Sequence, residues 1–177
     1  MKLTYLLAVP LLISGALAGQ RGDNPVSPRG EDRIVREVHH ELVMLPYYSV
    51  FDNLAYKVNG YAVTLEGQVT NPVVKSDAEK AVKKIEGVQN VVNNIEVLPL
   101  SPMDDQIRRA VYRAVYGQPG LEMYSLRAVP TIHIIVKNGH VTLTGAVGNA
   151  GDKERAGIAA NGVSGVFSVT NDLLVNP

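Results

Sequence analysis

Residues Asn59 to Val69 read "NGYAVTLEGQV", and residues Asn138 to Val147 read "NGHVTLTGAV". An Asn-Gly pair followed by alternating apolar and polar residues is the strongest short-range sign of a tight turn feeding a strand. Written once, it predicts a hairpin. Written twice, about eighty residues apart, it predicts a chain built from two copies of one unit, which decides the fold.

Working outward, Gly67 laid on Gly145 aligns the two halves without a gap to the end of the second, at an offset of 78 residues. Val69 falls on Val147, Lys75 on Lys153, Ala78 on Ala156, Gly87 on Gly165, Val91 on Val169, Asn93 on Asn171 and Val97 on Val175. Upstream the match resumes at an offset of 73, with Ile34 on Ile107, Val38 on Val111 and Leu42 on Val115. The second copy therefore carries about five extra residues after its first helix. Two tandem modules are expected, residues 31–98 and 104–177, joined by the linker "PLSPM" at 99–103.

Each module has the same pattern. Ile34, Val38, Leu42 and Leu45 recur at helical spacing behind Glu31 and Asp32, whose charges suit a helix N-terminus. "NLAYKV" and "YAVTLEGQV" alternate around Asn59-Gly60 as a hairpin. Val74, Ala78, Ala81, Val82 and Ile85 form the inner stripe of a second helix, and "VQNVVNNIEVL" closes with a short strand. The order helix-strand-strand-helix-strand predicts an α+β protein: two αββαβ two-layer sandwiches, each a three-stranded mixed sheet covered on one face by two helices. Gly67 and Gly145 are expected to end the second strand, and Gly87 and Gly165 to cap the second helix in a left-handed conformation. A unit this small is near the lower limit for independent stability, so the modules are expected to pack together.

"V-T-L-x-G-x-V" in the second strand and "G-V-x-x-V-x-N-x-[IL]-x-V" at the end of the module resemble the BON domain. The first copy carries Val63, Thr64, Leu65, Gly67, Val69, Gly87, Val88, Val91, Asn93, Ile95 and Val97. The second supplies Val141, Thr142, Leu143, Gly145, Val147, Gly165, Val166, Val169, Asn171, Leu173 and Val175. Gly67, Gly87, Asn93, Gly145, Gly165 and Asn171 are read as structural. The resemblance implies a periplasmic, non-enzymatic protein of envelope maintenance. Such a protein associates with phospholipid surfaces and protects during osmotic or folding stress.

The ends and the composition agree with export. Lys2, an apolar run from Leu3 to Leu17 and the small-x-small site Ala16-Leu17-Ala18 predict a cleaved signal peptide at residues 1–18. The run contains Pro10, Ser14 and Gly15, and a span needs about 20 apolar residues, so an anchor is the poorer reading. Residues 19–30 are rich in Gly, Pro and polar residues and predict a flexible lead-in. Its Arg21-Gly22-Asp23 tripeptide is too short to support an adhesive reading. The 177 residues include 17 basic and 17 acidic side chains, which argues against nucleic acid as the partner. No cysteine is present, which removes disulfides, zinc-thiolate sites, thiol nucleophiles and a lipid-modified anchor.

Chemistry is sparse. "HHELV" at His39–Val43 lacks the His-Glu-x-x-His spacing, and His133 and His140 belong to the other module. No Gly-x-Ser-x-Gly elbow, P-loop or dinucleotide fingerprint occurs, and Asp104-Asp105 is read as helix-start charge. No metal, cofactor or catalytic set is expected. The candidate lipid-binding face is "DDQIRRAVYRAVYG", where Arg108, Arg109 and Arg113 could meet phosphates and Tyr112 and Tyr116 the headgroup layer. The expected partner is an anionic phospholipid surface bound peripherally, with envelope proteins as a second class. For that second, chaperone-like reading the apolar loops supply docking candidates: Tyr47, Tyr48 and Phe51 in one, Leu121, Met123 and Tyr124 in the other. The competing expectation is that these loops fold back over the open edge of a small core.

Overall fold

The computed structural model describes residues 28–126 and 129–176. The expected signal peptide and residues 19–27 of the lead-in lie outside the described residues. The first module runs α1 (Pro28–Val43), β1 (Asn53–Asn59), β2 (Ala62–Val69), α2 (Pro72–Lys83), β3 (Asn90–Asn93) and β4 (Glu96–Val97). The second repeats it as α3 (Pro102–Tyr116), β5 (Ile132–Lys137), β6 (His140–Val147), α4 (Ala150–Asn161), β7 (Ser168–Asn171) and β8 (Leu174–Val175), with a 3-10 turn at Glu122–Ser125. In each sheet the central strand pairs antiparallel with the strand before it and parallel with the two short strands after it. The mixed αββαβ sandwich is therefore present twice.

Several boundaries move. Pro28, Arg29 and Gly30, expected in the lead-in, open α1, which stops at Val43 before Leu45. Pro102 and Met103, expected in the linker, open α3, because the Ser101 hydroxyl accepts from Asp104 N and caps the helix. Gly67 and Gly145 lie inside β2 and β6 rather than ending them. Both hold φ beyond +100°, and a Cβ would overlap the carbonyl oxygen of Asn53 or Thr131 across the hairpin. Gly87 and Gly165 do take positive φ, but they shape the turn beyond the helix. The caps themselves are Lys84 and Gly162, in ordinary right-handed conformation.

The repeated asparagines explain themselves. Each closing strand breaks in two so that Ile95 or Leu173 can enter the core. Asn93 Nδ2 donates to the Lys75 carbonyl at 3.0 Å while its Oδ1 accepts from Ile95 N at 3.2 Å. Asn171 does the same with Lys153 and Leu173. The side chain replaces ladder bonds lost at the break and ties it to the helix. Asn71 and Asn149, again 78 apart, cap α2 and α4 by accepting from Val73 N and Asp152 N.

The quoted phrase itself forms two different turns. In the second copy Asn138 and Gly139 are both turn residues with positive φ, as a type I′ hairpin requires. In the first copy Asn59 still pairs with Ala62 on the strand, and the turn is Gly60-Tyr61 with positive φ at Gly60 only.

The modules pack asymmetrically. Ile34, Val38 and Leu42 of α1, Val63 and Leu65 of β2, and Val74, Ala78 and Val82 of α2 make the first core. The second core includes Ile107, Val111, Ile134, Leu143 and Ala156, and also Val50 from the first module. Val50 lies on the segment after α1, and its carbonyl accepts from Ile134 N at 2.8 Å, adding a bond to the free edge of β5. One module's loop completes the other module's core.

Candidate functional site

Helix α3 has three distinct faces. Ile107, Val111 and Val115 point into the core. Arg108 and Tyr116, expected at a lipid surface, do not reach it. Arg108 is 4% exposed, with one guanidinium nitrogen on Asp105 and the other donating to the Val136 carbonyl at 2.7 Å. Tyr116 is 7% exposed, and its hydroxyl donates to the Ile132 carbonyl. Burial raises its pKa well above the ordinary phenol value. These two side chains clamp α3 to β5, and their polar ends satisfy backbone carbonyls inside the module.

Arg109 and Arg113 differ. They are exposed, one turn apart on the same face, and no ion pair or side-chain hydrogen bond holds either among the described residues. With Met103, Gln106 and Ala110 they line one wall of a cleft of about 580 Å³, whose other wall is Ser164-Gly165 after α4. Tyr112 lies between the two situations. Half-buried, it packs against Phe51 and Tyr116 with ring centroids 6.2 and 4.8 Å away. The face brings two arginines together and leaves the tyrosines in the packing. On α1 the matching Arg36, His39 and His40 are exposed, while Arg33 is paired with Glu37.

The apolar loops mostly fold back. Leu121 is fully buried, Phe51 packs on the second core, and Tyr48 packs on the first core while stacking on His133 at 5.6 Å. Burial raises the Tyr48 pKa to about 12. The Tyr124 hydroxyl donates to Asp152 Oδ2 at 2.6 Å and accepts from Gly148 N at 2.8 Å, pinning the 3-10 turn to the start of α4. That bond, with Arg155 beside it, holds the Asp152 carboxyl below its ordinary range. Only Tyr47, 73% exposed, and Met123, 60% exposed, face solvent from the docking set.

Two carboxylates of structural weight escape a reading based on motifs. Asp52 is fully buried and accepts four hydrogen bonds, from the amide and hydroxyl of Ser49 and of Thr70. The Ser49-x-x-Asp52 spacing is its one local signal. Asp104, read as helix-start charge, also accepts from Asn138 N and Gly139 N and so holds the β5–β6 turn. Of the histidines in the second module, His133 stacks on Tyr48, whereas His140 contacts Ser168 at 2.7 Å. Among the described residues no group of three His, Asp or Glu could hold a metal ion.

Two αββαβ sandwiches with this glycine and asparagine frame define the class. Residues 33–99 and 104–177 each match the BON domain, and the chain belongs to that family. It is similar to Osmotically-inducible protein Y of Escherichia coli (strain K12), at 29% identity over 171 residues, covering 88% of this chain and 80% of that protein. Among solved structures it is similar to the C-terminal domain of CdsD, a structural protein of the type III secretion system of Chlamydia trachomatis. That likeness is 15% identity at a TM-score of 0.33, covering 81% of this chain and 98% of the other. A second CdsD structure matches at the same identity and TM-score, covering 82% and 93%.

Proposed function

We propose that this chain is a periplasmic, non-enzymatic envelope protein that binds anionic phospholipid surfaces peripherally through the Arg109–Arg113 face of α3. The observation that carries the reading is the pair of exposed arginines at the cleft mouth, with no ion-pair partner among the described residues. Guanidinium groups fit phosphate oxygens in bidentate fashion and need no other partner broken first. Among the described residues no helix is long and apolar enough to cross a membrane, which is consistent with peripheral attachment. The similarity to Osmotically-inducible protein Y supports a duty under osmotic stress. The docking reading through apolar loops has less support, because most of its residues are engaged inside the protein.

The test is co-sedimentation with anionic and zwitterionic vesicles at low and high salt. Each arginine near an anionic surface contributes about 1 kcal/mol, so Arg109→Ala/Arg113→Ala should bind about thirtyfold more weakly. Arg36→Ala, on the matching face of α1, should bind like the parent. Circular dichroism establishes that the variants are folded. Unchanged affinity of the double variant would remove this face and return the question to Tyr47, Met123 and a protein partner.

A further inference from the structure

Around His133 and Thr144 the open face of the second sheet is covered by the first module. It looks across a cleft of about 600 Å³ toward α1 and β1 of the first module. Leu42, Val43, Leu54 and Tyr56 supply an apolar wall from the first module, with Pro130 and Leu174 opposite. Along the bottom lie Thr131, His133 and Thr144, where His133 and Thr144 are cross-strand partners and Thr131 is two residues away on the same face of the chain. Thr131 Oγ1, His133 Nδ1 and Thr144 Oγ1 are all shielded from solvent and have no hydrogen-bond partner among the described residues. The buried carboxylates of this protein are well satisfied, so three orphans in one place stand out. Each such group is costly to bury when nothing meets it.

We propose that this inter-module cleft binds a small uncharged amphiphile, an alkyl or acyl chain ending in hydroxyl or ester groups. The apolar walls take the chain. A change of rotamer on binding would bring the two hydroxyls and the imidazole nitrogen, shielded in the free protein, to a polar end of two or three oxygens. Its volume is in the usual range for small-molecule sites, and its mixture of apolar wall and few converging polar groups is typical of them. Charge argues against an anion. Among the described residues no lysine or arginine lines the cleft, Asp172 and His39 do, and burial lowers the His133 pKa, opposed by the Asp52 and Ser49 carbonyls. Tyr48, stacked on His133, closes one side and makes the site depend on both modules.

The test uses 1-monolauroylglycerol below its micellar concentration, with laurate as the charged counterpart, and isothermal titration calorimetry on the full protein. The parent should bind monolauroylglycerol and bind laurate more weakly. Thr131→Val/Thr144→Val removes the orphan hydroxyls at nearly constant shape. It should keep or raise the melting temperature of the free protein while weakening monolauroylglycerol binding about tenfold or more. Ala146→Leu, which fills the cleft from β6, is the second variant and should also block binding. No binding by the parent, full binding by the Val/Val variant, or laurate binding as tight as the neutral ester would each overturn the proposal, leaving ordered water as the partner of the three atoms. Anionic-vesicle binding by the Val/Val variant, measured in parallel, should be intact, so the cleft and the α3 face fail independently.

Discussion

Replacing Asp52 with Asn tests how the inter-module loop is held. The carboxylate divides its work: Oδ2 accepts from Ser49 N at 2.9 Å and Ser49 Oγ at 2.7 Å, and Oδ1 accepts from Thr70 N at 2.6 Å and Thr70 Oγ1 at 2.8 Å. The hydroxyls can rotate to meet an amide NH₂, but the backbone N–H groups cannot. Since they lie on different oxygens, an asparagine must point its NH₂ at one of them. One buried N–H is then unpaired, at about 1–3 kcal/mol, and the surviving bonds lose the help of the charge, so the expected total is about 2–4 kcal/mol. Urea unfolding followed by circular dichroism should show a midpoint lower by about 1–2 M for a protein of this size. Because Asp52 anchors the segment carrying Val50, the Ile134 amide bonded to the Val50 carbonyl should also exchange faster with solvent. Asp32→Asn, an exposed carboxylate on α1, should change stability by less than about 0.5 kcal/mol. A comparably small loss for Asp52→Asn would refute the claim that its four bonds hold the loop.

Gly145→Ala and Gly67→Ala should each cost about 2 kcal/mol or more, because the new methyl group meets a strand carbonyl and φ is positive; thermal melting should fall by about 4–8 °C. Acidification should weaken the seam through His133. Its folded pKa is lowered by burial, so below the unfolded value of about 6.5 the unfolded chain takes up a proton that the folded protein resists. The stability it contributes is complete above that pH, falls as pH drops toward the folded value, and then levels off. His133→Gln should flatten the dependence between pH 7.5 and 5.5; equal slopes would count against the assignment.

What was legible in the sequence follows from how local each cause is. The periods of α2 and β2 are properties of neighbouring residues, the 78-residue repeat is a match of letters along the chain, and the sheet order follows once the element order is known. The position of Gly67 in mid-strand was not legible, because its cause is the Asn53 carbonyl on another strand. Arg108 and Arg109 look alike in "DDQIRRAVYRAVYG", yet about a third of a helical turn separates a buried clamp on the Val136 carbonyl from a solvent-facing charge. Likewise Thr131, His133 and Thr144 have the polar alternation of a solvated sheet face. Nothing near them reveals that α1 and β1 of the other module cover that face.

The same distinction explains why the two copies are not interchangeable. The frame residues at matched positions, Asn71 and Asn149 or Asn93 and Asn171, make the same bonds in both modules. The seam residues do not match. In the first module β1 contributes Leu54, Tyr56 and Val58 only as partly buried neighbours of the core, whereas Ile132, Ile134 and Val136 of β5 are core members. The difference is the Val50 segment, which covers the β5 edge and has a counterpart of different sequence and length in the second copy. A strand edge covered in this way is also protected from pairing with other chains. Covalent linkage makes the arrangement inexpensive, since a loop tethered within the same chain docks at high effective concentration without the cost of association. The seam, its cleft and the dependence of one core on the other therefore arise from the tandem chain, and a single module, whichever copy it came from, would lack all three.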